Sequence, residues 1–167
     1  MEPSERYLQL SSVAALSAKQ YLERRERRHR ACASASHAVA LFLGMPEGRT
    51  SIIELDESLR ESGREVPIGS DVALRVGQDG FFYFGLHLHF ENSTQAHFGA
   101  VTILVGVDVS ASDYVVKHVR SFEVEDLSEQ SLRPFADHVY NALKENYETP
   151  YSRGRQSIGF INGNGVA

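Results

Sequence analysis

Apolar and polar residues alternate with a period of two along the middle of the chain. Phe82, Phe84, Leu86, Leu88 and Phe90 share one parity, while Phe81, Tyr83, His87, His89 and Glu91 take the other. This spacing sends the two sets to opposite faces of a β-strand. Val101, Ile103, Val105, Val107 and Val109 repeat the period with β-branched residues that suit a pleated, half-buried surface. A third run extends from Tyr114 to Val124. Val72, Leu74 and Val76 add a short strand that enters through a Gly77-Gln-Asp-Gly80 turn. The pattern predicts an antiparallel sheet of about four strands with one strongly apolar face. A four-residue loop at 92–95 would pair Glu91 with Ala96 and put Val101, Ile103 and Val105 on the face of Leu86, Leu88 and Phe90.

The flanking segments carry helical periods. From Tyr7 to Leu43 no Pro or Gly interrupts the chain. Leu10, Val13, Ala14, Tyr21 and Leu22 mark an apolar stripe, and Ser4 is placed to start the helix. Gly44-Met-Pro-Glu-Gly48 stops it. Over Thr50 to Ser62, the capping-box spacing of Ser51 and Glu54 and the shared face of Ile52, Leu55 and Leu59 predict a short helix, followed by a loop from Gly63 to Ser70. Beyond the sheet, Leu132, Ala136, Val139, Leu143 and Tyr147 predict a helix over 127–147 that covers the apolar sheet face. Asp126 and Glu129 form its cap, and Pro134 kinks it or marks the first turn of its main part. Thr149-Pro150 opens a further helix. The fold class is therefore α+β: an antiparallel sheet covered by C-terminal helices, with an extra helical N-terminal segment. Residues 1–48 form that segment, 49–161 hold the sheet and C-terminal helices in one domain with it, and 162–167 are a flexible tail.

Composition narrows the function classes. The 167 residues are 42% hydrophobic and 23% charged, enough for a folded core without a disulfide or metal staple. The net charge of −5 is uneven: seven basic and four acidic side chains in residues 1–30 give +3, leaving −8 for the remainder. An acidic body argues against nucleic-acid binding, which depends on phosphate neutralisation. The cluster Arg24 to Arg30 reads as a solvated helix face in which Glu23 and Glu26 pair with Arg27 and Arg28; an acidic protein partner or a nucleic acid is the alternative. Cys32 is the only cysteine, so no intrachain disulfide forms, and a cytoplasmic setting without a membrane span is expected. It lies inside the helical run and reads as a small buried side chain, because a nucleophilic thiol would need a helix N-terminus.

Two constellations remain. His87 and His89 have the i, i+2 spacing of many strand metal sites, and His118 on the third run offers a further ligand. A metal site also needs a third converging donor and supporting hydrogen bonds. The reading taken is therefore a polar strand face or subunit contact, with no catalytic residue, metal or cofactor expected. Phe81, Tyr83, Phe98 and Leu104 leave apolar surface on the same face. That surface is a candidate for binding polypeptide, for homo-oligomerisation, or for packing against the N-terminal helix.

The order of elements in the C-terminal half carries a resemblance. A four-stranded sheet, a strand ending in Phe122-Glu-Val-Glu-Asp126, a helix containing Phe135-Ala136, and Pro150-Tyr151-Ser-Arg153 opening a last helix together resemble the SecB family of export chaperones over roughly residues 70 to 161. The chain departs from the family pattern in its helical N-terminus, in lacking the later proline-rich segment, and in Gly154 where an acidic residue is frequent. The resemblance implies an α+β fold, assembly into dimers or tetramers, and a role in protein transport in which non-native polypeptide is held without ATP hydrolysis. The alternatives are an adaptor with one fixed protein partner and a metal-dependent enzyme using His87 and His89.

Overall fold

The computed structural model describes residues 3–90, 99–110 and 113–148, and the backbone of 160–161. Helix α1 (Glu5–Phe42) is one unbroken helix of 38 residues. Ser4 caps it by accepting a 3.3 Å hydrogen bond from the Tyr7 amide, and Gly44 at φ +63° follows its end. Seven strands come next: β1 (Thr50–Leu55), β2 (Glu61–Pro67), β3 (Arg75–Val76), β4 (Phe82–His89), β5 (Ala100–Val109), β6 (Tyr114–His118) and β7 (Arg120–Val124). Helix α2 (Glu129–Glu148) and a short strand β8 (Phe160–Ile161) complete the order. The fold is α+β, and the strands form one antiparallel sheet in the order β2-β1-β4-β5-β6-β7, with β3 paired to β4 and β8 to β5.

The sheet is larger than the sequence pattern predicts, for two local reasons. The segment from Thr50 is a hairpin and not a helix: Ile52 pairs with Leu86 on one side and Val66 on the other, and this pairing overrides a local capping preference. The hairpin turn is closed by Asp56, whose Oδ1 accepts from the amides of Ser58 and Arg60. The expected loop at Gly63 to Ser70 accordingly holds most of β2. The run Tyr114 to Val124 is also two strands, because the chain reverses at Val119, a β-branched residue at φ +65°. No Gly, Pro or Asn stands at that reversal, so no turn residue marks it.

The expected face assignment holds between β4 and β5, with a register two residues removed from the predicted one. Leu86 pairs with Ile103, and Leu88 with Val101. A shift of two preserves the faces, which a shift of one would exchange. The predicted loop itself lies outside the described residues.

The apolar face carries Ile52, Phe84, Leu86, Leu88, Ile103, Val105, Val107, Val116 and Val124 in one continuous core. Two helices share its cover. Helix α2 contributes Leu132, Phe135, Ala136, Val139 and Leu143, while Tyr147, the expected end of the stripe, is 52% exposed. Its cap is Ser128, which accepts from the Ser131 amide at 3.2 Å, and Asp126 holds the preceding turn by accepting from the Ser128 amide. The helix runs through Pro134. Helix α1 lays Ala31, Cys32, Ala35, Ala38 and Val39 on the same side, where the small residues let its backbone approach the sheet closely. Packing of the N-terminal helix on the second face, the alternative considered for Phe81, Tyr83 and Leu104, does not occur.

The basic cluster joins α1 to the sheet. Arg25 pairs with Asp71 at 3.2 Å, Arg27 donates to the Ser110 carbonyl at 2.7 Å, and the Arg28 guanidinium stacks 3.7 Å above the Phe82 ring. Glu26 pairs with Arg30 at helical spacing. Only the C-terminal part of α1 is held in this way. Every residue from 3 to 26 is exposed, but contact with the body begins at Leu22, which lines a cleft with Ile52 and Asp71, so at about 1.5 Å per residue the stretch before it extends roughly 25 Å past the body.

Candidate functional site

Strand pairing determines which polar side chains meet on the second face. Ser51 pairs with His87, Ile53 with both Gly85 and Glu65, and Leu55 with Glu61. On the other side of β4, His87 pairs with Thr102. Ser51, Glu61, Glu65, His87, His89 and Thr102 therefore converge on one patch built from β2, β1, β4 and β5. Gly85 makes room for it: a Cβ there would lie 2.9 Å from Thr102 Cγ2 and 3.2 Å from the Ile53 carbonyl.

The hydrogen bonds form two short chains. His87 Nδ1 lies 2.6 Å from Thr102 Oγ1, and the Thr102 hydroxyl donates to Glu61. Thr102 is 1% exposed. Because its proton is committed to a carboxylate, Thr102 accepts from His87, which fixes the ring with Nδ1–H and leaves the Nε2 lone pair available. In the second chain the Ser51 hydroxyl donates to Glu65 Oε1, which lies 3.2 Å from His89 Nε2. The two imidazoles stand edge to face with centroids 4.3 Å apart.

Protonation follows from these contacts. Burial, reinforced by neighbouring His89, holds His87 below the ordinary histidine range, and this outweighs the pull of Glu65 and Glu61. The Ser51 hydrogen bond holds Glu65 below the ordinary carboxylate range against a smaller opposing effect of burial, and His89 adds to the depression. At neutral pH the patch thus presents a neutral His87 imidazole beside an ionised Glu65.

A second polar group lies farther along the same face. The Tyr83 hydroxyl donates to Asp79 Oδ2 at 2.7 Å, and Lys117 Nζ reaches the same oxygen at 2.5 Å. Desolvation pushes Asp79 up, but the hydrogen bonds from Lys117 and Tyr83 outweigh it and bring the carboxyl down to about 2. The Tyr83 ring packs on Gly77 and Gly106, where an added Cβ would come within 2.6 and 2.8 Å of it.

The sequence-predicted residues are accordingly divided. His87 and His89 meet, whereas His118 lies on the opposite, core side, 1% exposed, with Nδ1 3.1 Å from the Leu104 carbonyl and its ring 5.7 Å from that of His138. Its approach to His87 and His89 is ruled out by the parity of β6. Tyr83 is 7% exposed, and Phe81 and Leu104 are half-buried. The apolar candidates on this face are thus partly or wholly withdrawn from solvent. Phe98, Pro150, Tyr151 and Arg153 lie outside the described residues. Cys32 is 2% exposed inside α1, and desolvation pushes its thiol far up, as expected of a packing residue. Glu61, Glu65 and Thr102 join the site only through strand pairing, which the helix and loop expected over 50–70 do not provide.

Exposed apolar surface is concentrated elsewhere. Along the arm of α1, Tyr7, Leu8, Leu10, Val13, Leu16, Tyr21 and Leu22 are 53–71% exposed. No helix of the described residues is long and apolar enough to cross a membrane. Comparison with family models, with curated proteins and with solved structures finds no match for this chain.

Proposed function

We propose that this chain is a non-enzymatic polypeptide-binding module that holds apolar segments of other proteins, in the manner the SecB resemblance implies, and that the α1 arm is its principal contact surface. The carrying observation is that seven large apolar side chains, each more than half exposed, stand on a helix continuous with the core, with Tyr7, Leu10, Tyr21 and Leu22 along one side of it. Tyr7, Leu10, Ala14, Ala18, Tyr21 and Leu22 recur at helical spacing on one side of the arm. This side continues toward the residues that α1 buries against the sheet, such as Cys32 and Val39. An apolar strip of this kind takes a partner by helix packing, with anchors at i, i+3, i+4 and i+7. Exposed clusters of this size are typical of interaction surfaces.

The test pairs the intact chain with Leu10→Glu/Tyr21→Glu. The intact protein should suppress light scattering from an aggregating unfolded client without nucleotide, and the variant should lose that effect while keeping its melting temperature. Failure to suppress aggregation at micromolar concentration, or full activity in the variant, overturns the reading. The alternative of one fixed partner predicts a single stoichiometric protein in a pull-down, lost in the same variant, and no effect on unrelated clients. Homo-oligomerisation through the strip predicts a mass in solution that falls to the monomer on the same substitutions.

A further inference from the structure

We infer that Glu65, His87 and His89 form a binding site for one divalent first-row transition metal ion, for which zinc is the natural probe. The inference is independent of the proposed polypeptide binding. Its basis is the convergence of two imidazoles and a carboxylate whose ligand atoms all lie within 4.8 Å of one another. An ion with bonds of about 2 Å in tetrahedral geometry holds its donors roughly 3.3 Å apart. Glu65 Oε1 and His89 Nε2 already stand at 3.2 Å, and a ring nitrogen of His87 lies within 4.8 Å of both.

The surroundings have the form that a metal site requires. Histidine ligands are oriented by a hydrogen bond on the nitrogen that does not bind the ion. His87 has that support through Thr102 and onward to Glu61. The Glu65 carboxylate is held in place by the Ser51 hydroxyl, which donates to Oε1. The buried Thr102 hydroxyl gives His87 the tautomer with Nε2 open. The carboxylates of Glu65 and Glu61 supply the negative charge that a cation needs.

The donor set also selects the ion. Two imidazole nitrogens and one carboxylate suit zinc, iron(II), cobalt(II) or nickel(II), whereas magnesium and calcium prefer oxygen ligands throughout. Three protein donors leave at least one coordination position for water or an incoming group on the solvent side. The side chains of Glu65 and His89 are 44% and 37% exposed, so that position is accessible. Because Glu65 is on β2 and the histidines are on β4, the ion would also tie the outer hairpin across β1.

The experiment is calorimetric titration of the EDTA-stripped full-length chain with zinc chloride, with cobalt(II) absorption as a second readout. One equivalent should bind at micromolar affinity or better and raise the melting temperature by about 5 °C or more at saturation. Cobalt should give visible bands of four- or five-coordinate intensity. His89→Ala should weaken binding at least ~100-fold and Glu65→Gln ~10-fold. Thr102→Val, which removes only the positioning hydrogen bond, should weaken it by ~10-fold and shift the cobalt spectrum. His37→Ala, an exposed histidine on α1, should change nothing. Circular dichroism of each variant separates misfolding from ligand loss. Absence of binding tighter than about 100 μM in the folded, stripped protein overturns the inference, as does affinity that survives His87→Ala and His89→Ala together.

Discussion

Helix α1 offers a test in which the same chemical change is made twice on one element. Val39 is fully buried against the sheet, whereas Val13, on the arm, is 66% exposed. Val39→Ala removes two buried methyl groups, about 1.6 kcal/mol at ~0.8 kcal/mol each. Incomplete collapse around the vacated space adds up to ~1 kcal/mol, and the better helix propensity of alanine returns roughly 0.5 kcal/mol. The net expectation is a loss of about 2 kcal/mol, or roughly 4–8 °C in melting temperature for a chain of this size. Val13→Ala removes no buried surface and gains the propensity, so it should lie within about 0.5 kcal/mol of the parent or slightly above it. Urea unfolding followed by circular dichroism measures both, with the slope checked for constancy. Cys32, the sole cysteine and about two turns from Val39 on the same helix, supplies a second readout: its labelling by a thiol reagent should accelerate in Val39→Ala and not in Val13→Ala. If the two variants differ by less than about 0.5 kcal/mol, α1 is not docked as described, and the division into a packed half and a free arm is wrong.

Two further outcomes follow from local geometry. Val119 is held at φ +65°, which is costly for a β-branched residue, so Val119→Asn should stabilise the β6–β7 hairpin by about 1 kcal/mol; a loss of stability in thermal unfolding would refute the strain. Asp79 carries a folded pKa of about 2, below its unfolded value, so its contribution is complete above about pH 4 and fades as pH falls toward 2. The stability difference between the parent and Asp79→Asn should accordingly shrink across that window. It should remain in the modest range of exposed pairs, and a difference unchanged between pH 6 and pH 2 would sink the assignment.

Much of this architecture is determined by the sequence alone. The period-two runs Phe82 to Phe90 and Val101 to Val109 fix which residues point inward, because successive side chains of an extended backbone point to opposite faces. The three-four spacing of Leu132, Ala136, Val139 and Leu143 likewise fixes the buried side of α2, and the absence of Gly and Pro from Tyr7 to Leu43 permits a single helix. Tertiary structure decided the rest. The register between β4 and β5 could move by two without disturbing any face, so the hydrophobic pattern could not resolve it. Thr50 to Pro67 becomes a hairpin because β4 offers an edge for Ile52 to pair with, a partner that no local propensity contains. The sequence placed an apolar candidate surface on the second face of the sheet, but Tyr83 is buried there against two glycines and tied to Asp79. The convergence of Glu65 with His87 and His89 depends on three strands lying side by side. The pairing of β2 and β4 with β1 brings together residues more than twenty positions apart, and that proximity exists only once the sheet has formed.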